Sequence, residues 1–213
     1  MVAEFLDTTG VVFEEVRRRR AEPINDEPVG IGADWAKDVD RTWFVAIGAE
    51  SGAILKIQRL PLKLNYFTQT ELFKQFCEEY QGRGFFACHD KTGVGNAVDD
   101  LLTLRPDGFF GEHNLESFIF THKTKSELVE AGVVNFESGR LGFPTKSVGD
   151  ELYDVLIQEH EEFSLEVGKT GKISYGAPGG SHDDAVMATM LANRAVSRVG
   201  NREYGGVPTI TML

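Results

Sequence analysis

The core of the chain begins with Val29-Gly30-Ile31-Gly32-Ala33-Asp34, a short apolar, glycine-spaced segment that ends in an acid and predicts a strand. Two segments rich in β-branched and aromatic residues follow, Thr42 to Ala49 and Ala53 to Leu60. Glu50-Ser51-Gly52 between them has the composition of a hairpin turn. Strands joined by such short connections pair antiparallel, so we predict a three-stranded antiparallel meander.

Downstream of the meander, helical and strand patterns alternate. Between residues 68 and 80 apolar side chains recur at helical spacing, and Gly82-Arg83-Gly84 ends that pattern. Phe85 to His89 predicts a buried strand that ends at Asp90, and Phe118 to Phe120 predicts another strand. A short helix is predicted from Ser126 to Ala131 and an alanine-rich helix from Ala185 to Ser197. The expected fold class is therefore α/β, with a mixed sheet of a meander plus parallel strands, flanked by helices.

We divide the chain into three regions by composition. Residues 1–28 predict a short helix and a proline-bounded linker, residues 29–200 one globular domain, and residues 201–213 a loose tail. The arginine run Arg17 to Arg20 has two interpretations: it contacts DNA, or it is a solvated helix end whose cations favour the helix dipole.

Composition excludes several classes of protein. The chain has 213 residues, of which 41% are hydrophobic and 26% charged, an ordinary globular balance. No apolar run reaches the roughly 20 residues of a membrane span, the N-terminus lacks the pattern of a signal peptide, and no membrane partner is expected. The two cysteines, Cys77 and Cys88, are too few for a disulfide framework. The chain has 22 basic and 33 acidic residues and a net charge of −11. This charge disfavours the binding of duplex DNA unless metal ions or a basic partner domain hold the DNA.

Four acids stand where a fold exposes side chains. Asp34 and Asp90 each end a predicted strand, and Asp183 and Asp184 open the last long helix. Carboxylates brought together repel one another unless a cation is bound, and such hard oxygen ligands suit Mg²⁺ or Mn²⁺. Two such ions about 3.5–4 Å apart can activate water and stabilise the leaving oxygen of a phosphodiester.

Each acid also has an ordinary structural explanation. An aspartate after a strand is often a turn former, and Asp183 or Asp184 can simply cap the helix. The combination of two acids at strand ends with an acidic pair at the start of a helix favours the metal interpretation over these explanations.

The motifs around these acids resemble those of the nuclease domain of tailed-phage terminase large subunits. The three acidic motifs are Gly32-Ala33-Asp34-Trp35-Ala36-Lys37-Asp38-Val39-Asp40-Arg41-Thr42, His89-Asp90-Lys91-Thr92-Gly93-Val94-Gly95 and Ala177-Pro178-Gly179-Gly180-Ser181-His182-Asp183-Asp184-Ala185-Val186. Phe120-Thr121 with Lys125, and Phe143-Pro144, match the family's spacing. The resemblance covers residues 29 to 195, and its third motif is the most specific.

The resemblance implies an RNase H-like fold and an endonuclease that cuts concatemeric viral DNA during genome packaging with two Mg²⁺ or Mn²⁺ ions. By position, Asp34 resembles the acid that bridges both metals and Asp90 the ligand on the second strand. Asp183 resembles the ligand on the helix, and Asp184 its neighbour, which binds metal either directly or through water. Successive helix positions point about 100° apart, so the two aspartates are not equivalent, and we favour Asp183 as the inner ligand. His182 either orients one of them or is an exposed loop imidazole.

The resemblance also implies partners and a place of action. The chain lacks the motor's phosphate loop, because Ile173 follows Gly171-Lys172 where Ser or Thr is required. The expected partners are therefore double-stranded DNA, a separate terminase ATPase domain, the portal and the small terminase subunit. The expected location is the host cell cytoplasm, at the procapsid portal.

Four lysines are candidates for phosphate contacts: Lys91, Lys125, and the predicted hairpin pair Lys169 and Lys172. The ordinary alternative for each is a solvated loop lysine. Two alternative functions stay open from the sequence: another RNase H-like nuclease, such as a junction resolvase or a transposase-type enzyme, and a non-catalytic module that docks on DNA or the portal.

Overall fold

The computed structural model describes residues 9–13, 16–93, 95–167, 173–178 and 181–199, and within them it contains two sheets and five α-helices. The strands are β1 Thr9–Val11, β2 Val29–Asp34, β3 Trp43–Gly48, β4 Ile54–Arg59, β5 Phe85–Asp90, β6 Leu115–Phe118, β7 Ser164–Val167 and β8 Ile173–Gly176. The helices are α1 Tyr66–Glu78, α2 Gly95–Thr103, α3 His122–Glu137, α4 Glu151–Glu162 and α5 Asp184–Val199.

The central sheet has five strands in the order β4-β3-β2-β5-β6. β2, β3 and β4 pair antiparallel, whereas β5 pairs parallel with both β2 and β6. The predicted meander and the mixed α/β sheet are therefore confirmed. Because β2 and β5 run parallel, their carboxyl ends lie side by side at one edge of the sheet.

The glycines of β2 let helix α5 lie directly on the sheet. A Cβ at Gly32 would stand 2.0 Å from the carbonyl oxygen of Ala188, and a Cβ at Gly30 would stand 2.4 Å from the amide nitrogen of Val196. Only glycine permits such an approach of two backbones. The close contact places the first turn of α5 over the end of β2.

Two apolar clusters cover the two faces of the sheet. Helices α3, α4 and α5 cover one face, and α1 and α2 cover the other. Both cysteines are free and buried. No helix in the described residues is both long and apolar enough to cross a membrane.

The start of the chain differs from its predicted helix. Residues 9–11 form β1, which pairs antiparallel with β7, and a short 3₁₀ turn follows at Val16–Arg18. Phe13 packs against the rings of Phe136 and Phe163, so tertiary contacts select the extended conformation. Arg17 forms ion pairs with Asp154 and Glu161 instead of standing free in solvent. The division of the chain at residue 28 stays a prediction.

Two other element boundaries also differ. The short helix expected at residues 126–131 is α3, sixteen residues long, and it begins after Thr121, whose side chain forms a reciprocal capping box with Thr124. The strand expected at residues 118–120 lies earlier, at β6. The apolar spacing within α3 is weak, so the local pattern does not reveal its full length.

Candidate active site

The first two acids stand next to each other at the edge of the central sheet. Asp34 is the last residue of β2 and Asp90 the last of β5, and the residues before them, Ala33 and His89, are paired partners in the parallel ladder. Asp90 is buried, and its Oδ1 accepts a hydrogen bond of 2.6 Å from the amide of Thr92. Parallel pairing thus brings together two side chains that lie 56 positions apart.

Asp34 experiences the field of a carboxylate cluster. Burial raises the pKa of Asp34 well above its ordinary value, and the negative charges of three neighbours raise it further, in the descending order Asp90, Asp184 and Asp183. The charge of Lys125 opposes this effect. The four predicted aspartates are therefore close enough to interact electrostatically, and a bound cation would relieve their repulsion.

The first turn of α5 receives its capping carboxylate from another helix. Oε2 of Glu159, on α4, accepts a hydrogen bond of 2.8 Å from the amide of Ala185. The side chain of Asp184 instead accepts a hydrogen bond of 3.1 Å from the amide of Arg41, and that of Asp183 lies 3.0 Å from Nζ of Lys125. The side chain of Asp184 thus contacts the loop between β2 and β3, and that of Asp183 contacts α3, so the helix-cap explanation does not account for these contacts.

Burial raises the pKa of both Asp184 and Glu159. It raises the pKa of Asp184 to about 6, against the hydrogen bond from Arg41, and the negative charges of Asp40 and Asp183 add to the rise. It raises the pKa of Glu159 to about 7, to which the charge of Asp184 contributes. Sequence reasoning missed Glu159, because it lies in an acidic stretch of α4 with no motif around it.

His182 and Asp40 form a pair of potential metal ligands beside Asp184. Nδ1 of His182 lies 3.1 Å from Oδ1 of Asp40, and both side chains are about half exposed, at 52% and 53%. Together with Asp184 they offer three potential metal-ligand atoms within 4.8 Å of one another. Sequence reasoning quoted Asp40 within the first motif but did not select it, because a loop acid without periodic context has no distinguishing signal.

The predicted phosphate-contacting lysines have different environments. Nζ of Lys125 reaches Asp183 inside the candidate site, whereas Nζ of Lys91 lies 2.6 Å from Oδ2 of Asp99. Lys169 and Lys172 lie outside the described residues. DNA contact by these four lysines stays a prediction.

Comparison with known proteins yields similarities in sequence and in structure. No family model matches the chain. A terminase large subunit of Thermus virus P23-45 is 26% identical over 163 residues, which are 76% of this chain and 30% of that protein. The chain thus spans about a third of the length of this curated relative.

Solved structures of similar fold cover most of this chain. The large terminase nuclease of thermophilic phage G20c superposes with a TM-score of 0.71 at 23% identity, over 86% of this chain and 97% of that one. That nuclease is also known with bound magnesium, at a TM-score of 0.70 and 23% identity over 86% and 96% of the two chains.

A more distant nuclease has the same architecture. The nuclease domain of the large terminase subunit gp2 of bacterial virus Sf6 matches with a TM-score of 0.56 at 11% identity, over 85% of this chain and 94% of that domain. This chain therefore has the RNase H-like α/β fold of the nuclease domains of phage large terminases.

Proposed function

We propose that this chain is the nuclease domain of a phage terminase large subunit and cleaves concatemeric viral DNA by divalent-metal-dependent hydrolysis of phosphodiesters. The observation that carries the proposal is the convergence of four aspartates, Asp34, Asp90, Asp183 and Asp184, on the carboxyl ends of β2 and β5. There burial, and then the charges of the other three, raise the pKa of Asp34. The fold on which they stand is that of nucleases known with bound magnesium, cobalt and zinc.

The donor set fits hard divalent cations. Clustered carboxylates of raised pKa lose their mutual repulsion when a cation binds, and oxygen ligands suit Mg²⁺ and Mn²⁺. We assign Asp34 as the acid shared by two ions, Asp90 as the second-strand ligand, and Asp183 as the inner helix ligand in preference to Asp184. When bound, two such ions supply an activated water and stabilise the leaving oxygen.

The remaining residues of the site prepare it for DNA. Lys125 balances part of the negative charge at Asp183 and stands where a phosphate would approach the carboxylates. His182 and Asp40 form the rim beside Asp184. We assign Lys91, Lys169 and Lys172 to the phosphate-contacting surface, with His182 as a residue that orients the ligands.

Packaging sets the partners of this activity. The net charge of −11 leaves the domain poorly suited to hold duplex DNA by itself. We propose that a terminase ATPase domain, the portal and the small terminase subunit bring double-stranded DNA to the site, at the procapsid in the cytoplasm of an infected cell. Residues 29–200 are the proposed nuclease unit, with residues 1–28 as an N-terminal segment and residues 201–213 as a tail.

A plasmid-nicking assay with and without Mn²⁺ tests the proposal. Replacing Asp34, Asp90 or Asp183 by Asn removes one anionic ligand, so we expect nicking to fall by at least about 100-fold while the fold is retained. Asp184→Asn is expected to be milder. Asp100→Asn, at an exposed position on α2, is the matched control and keeps wild-type activity.

The outcomes separate nuclease from docking module. No Mn²⁺-dependent nicking by the wild type, or wild-type nicking by Asp34→Asn, would refute the metal-dependent nuclease. If Asp184→Asn is more severe than Asp183→Asn, the two helix acids exchange roles and the rest of the proposal stands.

A further inference from the structure

A chain of buried polar side chains lies directly beneath the candidate metal site. Nε1 of Trp35 donates a hydrogen bond of 3.1 Å to Nδ1 of His89, and Nε2 of His89 lies 3.3 Å from Oδ1 of Asp99. Trp35 is 6% exposed and His89 is fully buried. The proposed nuclease mechanism uses none of these groups, yet Trp35 follows Asp34 in the chain and His89 precedes Asp90.

Two groups lie 3.1 Å from Nδ1 of His89, the indole N–H of Trp35 and the carbonyl oxygen of Asp90. The indole N–H can only donate, so in the tautomer that satisfies the bond from Trp35 the Nδ1 nitrogen is bare and accepts. The ring hydrogen therefore resides on Nε2, where it points to the carboxylate of Asp99. The three side chains form one directional chain of donors and acceptors that runs from the end of β2, through β5, to α2.

Asp99 anchors the far end of this chain. Besides His89, its carboxylate receives a hydrogen bond from the hydroxyl of Ser117 on β6 and an ion pair of 2.6 Å from Nζ of Lys91. Hydrogen bonds from His89, Lys91 and Ser117 hold the pKa of Asp99 well below its ordinary value. Asp99 thus stays a charged acceptor that connects β5, β6 and α2.

Different side chains lie at the ends of β2 and β5 on the two faces of the sheet. Neighbouring strand residues point to opposite faces, so His89 faces α2 while Asp90 faces α5. On the side of α5, Asp34 and Asp90 place two carboxylates next to each other at the ends of β2 and β5. On the side of α2, the hydrogen bond from Trp35 to His89 connects the same two strand ends.

We propose that Trp35, His89 and Asp99 are positioning residues that hold the ends of β2 and β5 at the separation at which Asp34 and Asp90 bind one cation together. The proposal rests on the nuclease function proposed above. The three side chains touch neither DNA nor metal and act through the backbone that precedes or follows each aspartate.

The test compares two variants that each lose one buried hydrogen bond. Trp35→Phe removes the indole donor and keeps a ring against Phe44 and Phe73. Tyr153→Phe removes the hydroxyl that donates to the carbonyl oxygen of Ile54, far from the site, and is the matched control. For each variant we would measure Mn²⁺ binding by titrating the melting temperature, and the dependence of nicking on Mn²⁺ and on DNA concentration.

We expect both variants to melt below the wild type, but only Trp35→Phe to need about tenfold more Mn²⁺ for half-saturation and for half-maximal nicking. The KM for DNA is expected to stay unchanged. Asp99→Asn, which removes the charged anchor, is expected to act in the same direction.

Equal Mn²⁺ dependence in Trp35→Phe, Tyr153→Phe and the wild type would overturn the proposal, because the network would then serve stability alone. This comparison does not depend on Asp99→Asn, so the proposal can be refuted even if that variant fails to fold. The Mn²⁺ titration does not depend on cleavage, so it tests positioning separately. Persistent nicking by Asp34→Asn would instead overturn the nuclease function itself.

Discussion

Removing the charge of Glu159 is expected to stabilise the metal-free protein, although it deletes a carboxylate that makes a good hydrogen bond. Glu159→Gln keeps an oxygen that can accept from the amide of Ala185. It relieves the burial of a charge and the repulsion from Asp184 and Asp183. The helix start that Glu159 supports is therefore held at an electrostatic cost.

The pKa of Glu159 gives the magnitude. It rises from 4.5 to about 7 on folding, a factor of roughly 300 in proton affinity, which corresponds to about 3 kcal/mol. Because the folded state holds this proton more tightly, both states are protonated below about pH 4.5 and the group then has no effect on stability. As the pH rises from there to about 7, the wild type loses stability, and above pH 7 the loss is complete.

Urea unfolding in EDTA, from about pH 4.5 to about pH 8, measures this difference. Glu159→Gln is expected to be more stable than the wild type by about 2–3 kcal/mol at pH 8 and equal to it near pH 4.5. Glu71→Gln is the control of opposite sign, because the hydrogen bond from Arg105 lowers the pKa of Glu71, so its removal destabilises above the unfolded pKa. A Glu159→Gln protein that is less stable at pH 8, or whose advantage does not vary with pH, would refute the reasoning.

Three further predictions concern the sheet, the metal and the DNA. Gly32→Ala is expected to lower the free energy of unfolding in urea by about 3 kcal/mol, because the added Cβ would overlap the carbonyl oxygen of Ala188. The control Gly82→Ala adds a Cβ with no atom within 4 Å, so we expect it to change the free energy of unfolding by less than about 0.5 kcal/mol. Mn²⁺ at about 100 times its Kd is expected to raise the melting temperature by about 5–10 °C, reversibly with EDTA, and an unchanged melting temperature at millimolar Mn²⁺ would argue against the site. Lys125→Ala is expected to reduce the slope of log affinity for DNA against log salt by about 0.9, and an identical slope would remove Lys125 from the phosphate-contacting residues.

The sequence by itself predicted the parts of this protein that depend on local order along the chain. The meander, the mixed sheet and the positions of the four aspartates follow from alternating apolar runs that end in acids. Strand periodicity and turn composition are short-range properties, so they are visible without knowledge of the fold. The resemblance of the motifs to terminase nucleases added the expected chemistry.

Only the tertiary structure decided which distant groups support those aspartates. Glu159 reaches the first turn of α5 because α4 packs beside α5. Asp99 reaches His89 because α2 covers the face of the sheet opposite α5. The strand at residues 9–11 likewise exists through its pairing with β7 and not through its own propensity. These contacts join residues between 10 and more than 150 positions apart, and no local pattern encodes which helix face meets which strand end. Packing therefore determined the electrostatic environment of acids whose positions the sequence had already indicated.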